Sequence, residues 1–195
     1  TGIRVFHTTS GASANVTTLT RSQSNYTQTF IPTQSGTYNV SVQINGGYIP
    51  ITSASKSISV AAAGVAPSRS VIDGTGLVGG EAGTQVTFTI VPKDAYDNTL
   101  LASTSVGYKV TIKPTVDAAT QGTVTKDTTV TSYLRYTVTY TVPAYLATQT
   151  SFTISISVDT AAAFTTLTAN IAQSGTSNYA VTDPSQSLTA VAGST

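Results

Sequence analysis

The chain is dominated by strict alternation of apolar and polar residues, the period of two expected where one face of a strand is buried and the other is wet. Val86, Phe88 and Ile90 alternate with Thr87 and Thr89; Tyr108, Val110 and Ile112 alternate with Lys109 and Thr111. The pattern returns at Tyr136, Val138, Tyr140 and Val142, at Phe152, Ile154, Ile156 and Val158, and at Leu167, Ala169 and Ile171. Toward the N-terminus it runs through Tyr38, Val40, Val42 and Ile44, then Ile58 and Val60. Turn formers separate the runs, among them Asn45-Gly46-Gly47, Gly79-Gly80 and Asp97-Asn98, and no stretch has a helical period. The expected fold is all-β: antiparallel β-sandwiches, with inward registers that send Tyr38, Tyr108, Tyr136 and Tyr140 into cores. These tyrosines are therefore read as core packing in preference to an exposed sugar-binding platform.

The chain also repeats itself out of phase. Thr1 to Val5 lines up with Val106 to Val110, and Tyr26 to Phe30 with Tyr136 to Tyr140. Pro184-Ser185-Gln186-Ser187 echoes Pro67-Ser68-Arg69-Ser70, and Ala192-Gly193-Ser194 echoes Ala82-Gly83-Thr84. The 195 residues accordingly divide into an incomplete repeat of closing strands only (1–66), a complete repeat (67–174) and the opening strand of a further one (175–195).

Gly74-Thr75-Gly76-Leu77 followed by Glu81-Ala82-Gly83-Thr84, and Phe88-Thr89-Ile90 followed by Lys93-Asp94-Ala95-Tyr96-Asp97-Asn98, resemble the opening half of a filamin-type immunoglobulin-like repeat. Asp97 stands where that family usually has Gly. Tyr26 to Phe30, Gly36 to Val40 and Asn45 to Pro50 resemble its closing strands. The complete repeat departs from the family at Ala144-Tyr145-Leu146-Ala147, where a Gly-Tyr turn is expected. The resemblance implies a fold, all-β with tandem immunoglobulin-like β-sandwiches, antiparallel; it implies no particular partner.

An incomplete first repeat leaves an uncovered core and open sheet edges, and the tail 175–195 is an opening strand without a sandwich. The two defects complement one another. The tail is thus a candidate donor strand for the first repeat of another copy, a contact that does not close and so propagates into a filament. The alternative is an adhesion or recognition module cut from a longer tandem array, and a third is a cytoskeletal crosslinker repeat. The expected partners are copies of the chain itself and covalent glycans, with no nucleic acid and no membrane span.

Composition bears on location. Only 9% of residues are charged, the net charge is +1, and Cys and Met are absent. No basic cluster offers a nucleic-acid footprint, no apolar run reaches the roughly 20 residues of a membrane helix, and Thr1 is read as a processed end. So sparse a charge, with abundant Ser and Thr, favours an extracellular or cell-surface address. Three N-glycosylation sequons fall in the first repeat, at Asn15, Asn25 and Asn39. Alternation turns Asn39 outward between Tyr38 and Val40.

Catalytic chemistry has little to build on. His7 is the only histidine and has no acid near it in sequence, so it is read as a surface or packing residue and not a catalytic one, and no cofactor or metal is expected. Asp94, Asp97 and Asn98 could supply oxygens to Ca²⁺, but the reading preferred is a turn whose side chains bond their own backbone.

Overall fold

The computed structural model describes residues 2–11, 13–16, 19–22, 25–44, 47–49 and 57–173. The proposed donor segment, Asn45-Gly46 and Pro50 lie outside the described residues, as do the echoes Pro184–Ser187 and Ala192–Ser194. No α-helix occurs among the described residues; two short 3-10 turns, Pro67–Arg69 and Thr75–Leu77, are the helical elements there.

The C-terminal part is an immunoglobulin-like sandwich. One layer is built from β9 (Val71–Asp73), β11 (Gln85–Val91) and β14 (Tyr136–Thr141); the other from β10 (Gly79–Glu81), β12 (Tyr108–Pro114), β15 (Ser151–Val158) and β16 (Thr165–Ala172). Strand β13 (Thr120–Lys126) belongs to both. Its first residues pair with β12 (Val110↔Gly122) and its later ones with β14 (Thr123↔Thr139), so it crosses from layer to layer. The bend falls at Gly122, where an added Cβ would lie 3.1 Å from Val138 and 3.3 Å from Val110. A side chain there would wedge the strand away from the core it closes.

All pairings in the sandwich are antiparallel except β10 with β16, which is parallel. The Gly79-Gly80 pair therefore makes an edge strand where a turn was expected. Gly79 has φ +97 and would drive a Cβ into the carbonyl of Asn170. Only glycine permits that backbone approach.

The inward registers are borne out. Phe88, Ile90, Val110, Ile112, Val138, Phe152, Ile154 and Ile156 are all essentially inaccessible, which removes from water the apolar area that drives folding. Tyr108 meets Tyr136 edge-on at 5.5 Å and Tyr140 meets Phe152 at 5.8 Å. Each buried tyrosine still satisfies its hydroxyl. Tyr136 accepts the Val106 N–H, Tyr108 pairs with Ser70, and Tyr140, whose ionisation burial pushes up to about 12, donates to the Gly76 carbonyl.

The N-terminal strands are arranged around β6 (Gly36–Ile44). Strand β1 (Gly2–His7) pairs along one edge, while β7 (Gly47–Ile49) and β8 (Ser57–Val60) share the other. Two short pairs accompany them: β2 (Asn15–Val16) with β5 (Phe30–Ile31), and β3 (Thr20–Ser22) with β4 (Asn25–Thr27). Val5 and Tyr38 are buried, but Val40, Val42, Ile58 and Val60 remain half-buried on the same strands. Tyr38 donates its hydroxyl to the carbonyl of Gln34, four residues upstream, at 2.8 Å. That is the tyrosine corner by which immunoglobulin-like folds fix the turn into their penultimate strand.

Candidate functional site

The most highly organised polar cluster lies where the N-terminal strands meet the sandwich, in the turn from Lys93 to Thr99. Asp94 is 1% exposed and its carboxylate is fully engaged. Oδ1 accepts the N–H groups of Tyr96 and Asn98, and Oδ2 accepts the Ala63 N–H and the Asn98 side-chain amide, each at 2.9 Å. Burial alone would raise its pKa, but these bonds from Asn98, Ala63 and Tyr96 outweigh it and hold Asp94 below the usual carboxylate value. The turn reading of Asp94, Asp97 and Asn98 is therefore what the geometry supports: four N–H donors occupy the oxygens a cation would need. Asp97 takes φ 66, the left-handed conformation for which glycine is usual, and its ion pair with Arg69 is half-exposed, so that pair contributes little.

Asn98 also faces outward from this turn. Its amide donates to the Thr33 carbonyl and its oxygen accepts the Ser35 N–H, both at 2.9 Å. The turn thus grips the corner before β6. That corner is braced from behind by His7, buried at the end of β1. His7 Nε2 lies 3.0 Å from the Ser35 carbonyl and Nδ1 accepts the Ser10 N–H at 3.2 Å, which assigns the ring proton to Nε2. Its ring stands edge-on to Tyr38 at 5.1 Å. Gly36, with φ +132, leaves the space the imidazole fills.

The Ser10 hydroxyl is 3.1 Å from Nδ1, but it donates to Gln34 Oε1 at 2.8 Å. A nucleophile would need a carboxylate on the far nitrogen to orient the base, and here that nitrogen faces a backbone carbonyl. Of the two expected places, surface or packing, His7 takes the second: it is buried, with Ser35 and Ser10 at its two ring nitrogens.

At the opposite end of the sandwich, where β12 and β16 finish and β15 starts, lies a hollow of about 660 Å³. Ala82, Pro114, Val142, Pro143 and Tyr145 supply a mostly apolar wall, and Gln173 stands on its lip. Behind it sits Gln149, completely buried. Its Oε1 accepts the Val116 N–H at 2.9 Å; its Nε2 donates to the Ala144 carbonyl at 2.9 Å and to Asp117 at 3.1 Å. One side chain thereby ties together the two loops that border the hollow. Val116, Tyr145 and Leu146 in those loops leave large apolar area exposed.

The three sequon asparagines are not gathered into one element. Asn15 opens β2 opposite Ile31, Asn25 opens β4 opposite Ser22, and Asn39 lies in β6 between Phe6 of β1 and Ser57 of β8. Asn39 is half-buried beside the fully buried Tyr38. Tyr38, Tyr108, Tyr136 and Tyr140 are all core residues. No helix among the described residues is long and apolar enough to cross a membrane.

Two features had no sequence signal: at the junction the reach of Asn98 to Thr33 and Ser35, and at the opposite end the burial of Gln149 outside any alternating run.

No family model matches the sequence, and no curated protein matches it. Among solved structures the chain is similar to one described as the crystal structure of the Lin-41 filamin domain, with 18% identity and a TM-score of 0.40. The likeness covers 56% of this chain and 98% of that one.

Proposed function

We propose that the chain is a structural protomer of an extracellular filament or surface appendage, assembling head to tail by β-strand complementation and working without catalytic turnover. The observation that supports this reading is the partly uncovered apolar face of the N-terminal strand group. Strand β6 lies between β1 and β8, all antiparallel, as β15 lies between β12 and β16, and Val40, Val42, Ile58 and Val60 are half-buried. In this reading residues 1–66 are an incomplete repeat, 67–174 a complete one, and 175–195 the strand donated to the next copy.

Covering those apolar residues supplies the driving force, at about 25 cal/mol for each Å² removed from water. Glycans on Asn15, Asn25 and Asn39 would solvate a surface that has few charges. Deleting Gly175–Thr195 tests the mechanism: fibres visible by negative-stain microscopy for the intact chain should be lost, and fibres that persist after deletion overturn strand donation. Glycopeptide mass spectrometry of material from the native source should find the three asparagines modified; bare asparagines remove that support for an extracellular address.

A further inference from the structure

The hollow at the end of the sandwich gathers polar side chains that the fold itself does not use. Thr120, Thr141, Tyr145 and Gln173 all line it, and none of their side chains hydrogen-bonds to another described residue. Asp117 joins them with one oxygen engaged: Oδ2 accepts the Gln149 amide at 3.1 Å, while Oδ1 accepts from no described residue. All five residues are exposed, so in the free chain these groups are solvated and can exchange water for a ligand. Beside them Ala82, Pro114 and Val142 form a wall without a polar side chain. The volume, about 660 Å³, lies within the range of small-molecule sites, about 300–1,000 Å³.

We propose that this hollow is a carbohydrate-binding site for an uncharged hexopyranose unit. A pyranose ring has apolar C–H faces and a girdle of hydroxyls, each able to donate and to accept. The apolar wall suits the faces, as does the ring of Tyr145, which is 37% exposed and lies outside the registers that send other tyrosines into the core. The girdle meets a mixed set of partners: a carboxylate that accepts, hydroxyls that do both, and an amide with one atom of each kind.

Charge separates this ligand from others. Asp117 is the only charged residue among the described ones that line the hollow, so a phosphate or carboxylate would meet no cation. An ammonium would meet a single carboxylate that already accepts from Gln149. The site is also set before a ligand arrives. Gln149 accepts the N–H groups of Val116 and Asp117 and donates to the Ala144 carbonyl, which fixes the loops that carry Asp117 and Tyr145 and lowers the ordering cost of binding. This reading stands independently of strand donation.

Saturation-transfer NMR of the full-length chain with the methyl glycosides of glucose, galactose, mannose and N-acetylglucosamine tests the site. At least one glycoside should bind, with a Kd on the order of 1 mM or tighter, and choline should not displace it. Tyr145→Ala should weaken that binding about tenfold and Gln173→Ala to a smaller degree. Both variants should keep the wild-type Tm, because neither side chain bonds to another described residue. Transfer to none of the glycosides overturns the proposal, and so does binding that both variants leave unchanged, since the sugar would then lie elsewhere. Displacement by choline would reveal a cation site instead. Binding that emerges only after deletion of 175–195 would show that the chain's own tail fills the hollow; either result overturns the proposal.

Discussion

Asn98 donates its side-chain amide to the carbonyl oxygen of Thr33 at 2.9 Å, joining residues 65 positions apart. Because the same side chain also accepts the Ser35 N–H and donates to Asp94, it couples the corner of one strand group to the turn of the sandwich. Asn98→Ala should lower stability by about 1–3 kcal/mol, the range for breaking such bonds. Asn98→Asp should cost more, since it sets a second carboxylate against Asp94 and removes the donor. Urea midpoints by circular dichroism check both; wild-type midpoints would show that the coupling contributes nothing.

Acid should weaken the fold in a defined window. Asp127 accepts bonds from Thr129 Oγ1 and the Arg135 guanidinium, each reaching 2.5 Å, and from the Thr129 N–H, which together hold its pKa at about 2 against an ordinary 3.8. A carboxyl depressed in the folded state stabilises it above the unfolded pKa, and that contribution disappears as pH falls through the folded value. The loss therefore runs from about pH 4 to about pH 2, with Asp94 acting in the same direction. Urea midpoints measured across this range should fall for the wild type, and Asp127→Asn should flatten the slope.

Alkali should act through Tyr140. Burial pushes its ionisation up to about 12 from 10.0, so the neutral form favours the folded state. That stability is complete below the unfolded value and is lost as pH rises from about 10 toward about 12. Tyr140→Phe should make the alkaline loss shallower, and at neutral pH it should cost about 1 kcal/mol because the Gly76 carbonyl loses its donor. An unchanged alkaline profile would exclude this origin.

Gln149→Leu keeps the volume and removes the bonds. The Val116 N–H and the Ala144 carbonyl would be left without their partner, at a cost of about 1 kcal/mol for each bond, because both residues are exposed and water replaces part of it. Thermal unfolding should show a lowered Tm, and faster hydrogen exchange should be confined to the loops around Val116 and Ala144. Uniformly faster exchange would instead indicate a role in the whole core.

Legibility in the sequence followed the kind of force involved. Strands β11, β12, β14 and β15 each present three or more apolar residues at alternate positions, so burial of one face is written into the local pattern. Strand β13 has only Val124 as a large apolar residue; it is held by pairing to two different layers, a tertiary fact that periodicity does not record. Gly79-Gly80 reads as a turn because glycine commonly marks one, yet the requirement is close approach to Asn170. The junction divides likewise. The turn at Asp94–Asn98 was visible because its bonds are local, whereas its grip on Thr33 and Ser35 spans more than sixty residues. Whether His7 lies at the surface or in the packing was open in the sequence, because its burial depends on Gly36 and Ser35, which become its neighbours only after folding.

The parallel pairing of β10 with β16 has a mechanical consequence. These strands run the same way along the sandwich; β10 follows the short β9 near the entry of the chain, and β16 is the last of the described strands. Tension applied lengthwise between β10 and β16 would pull them past one another. Their evenly spaced bonds would then resist together, in shear, instead of opening one at a time like a zipper. Gly79, which admits the backbone of Asn170, thereby sits at the point where a pulled sandwich would bear its load.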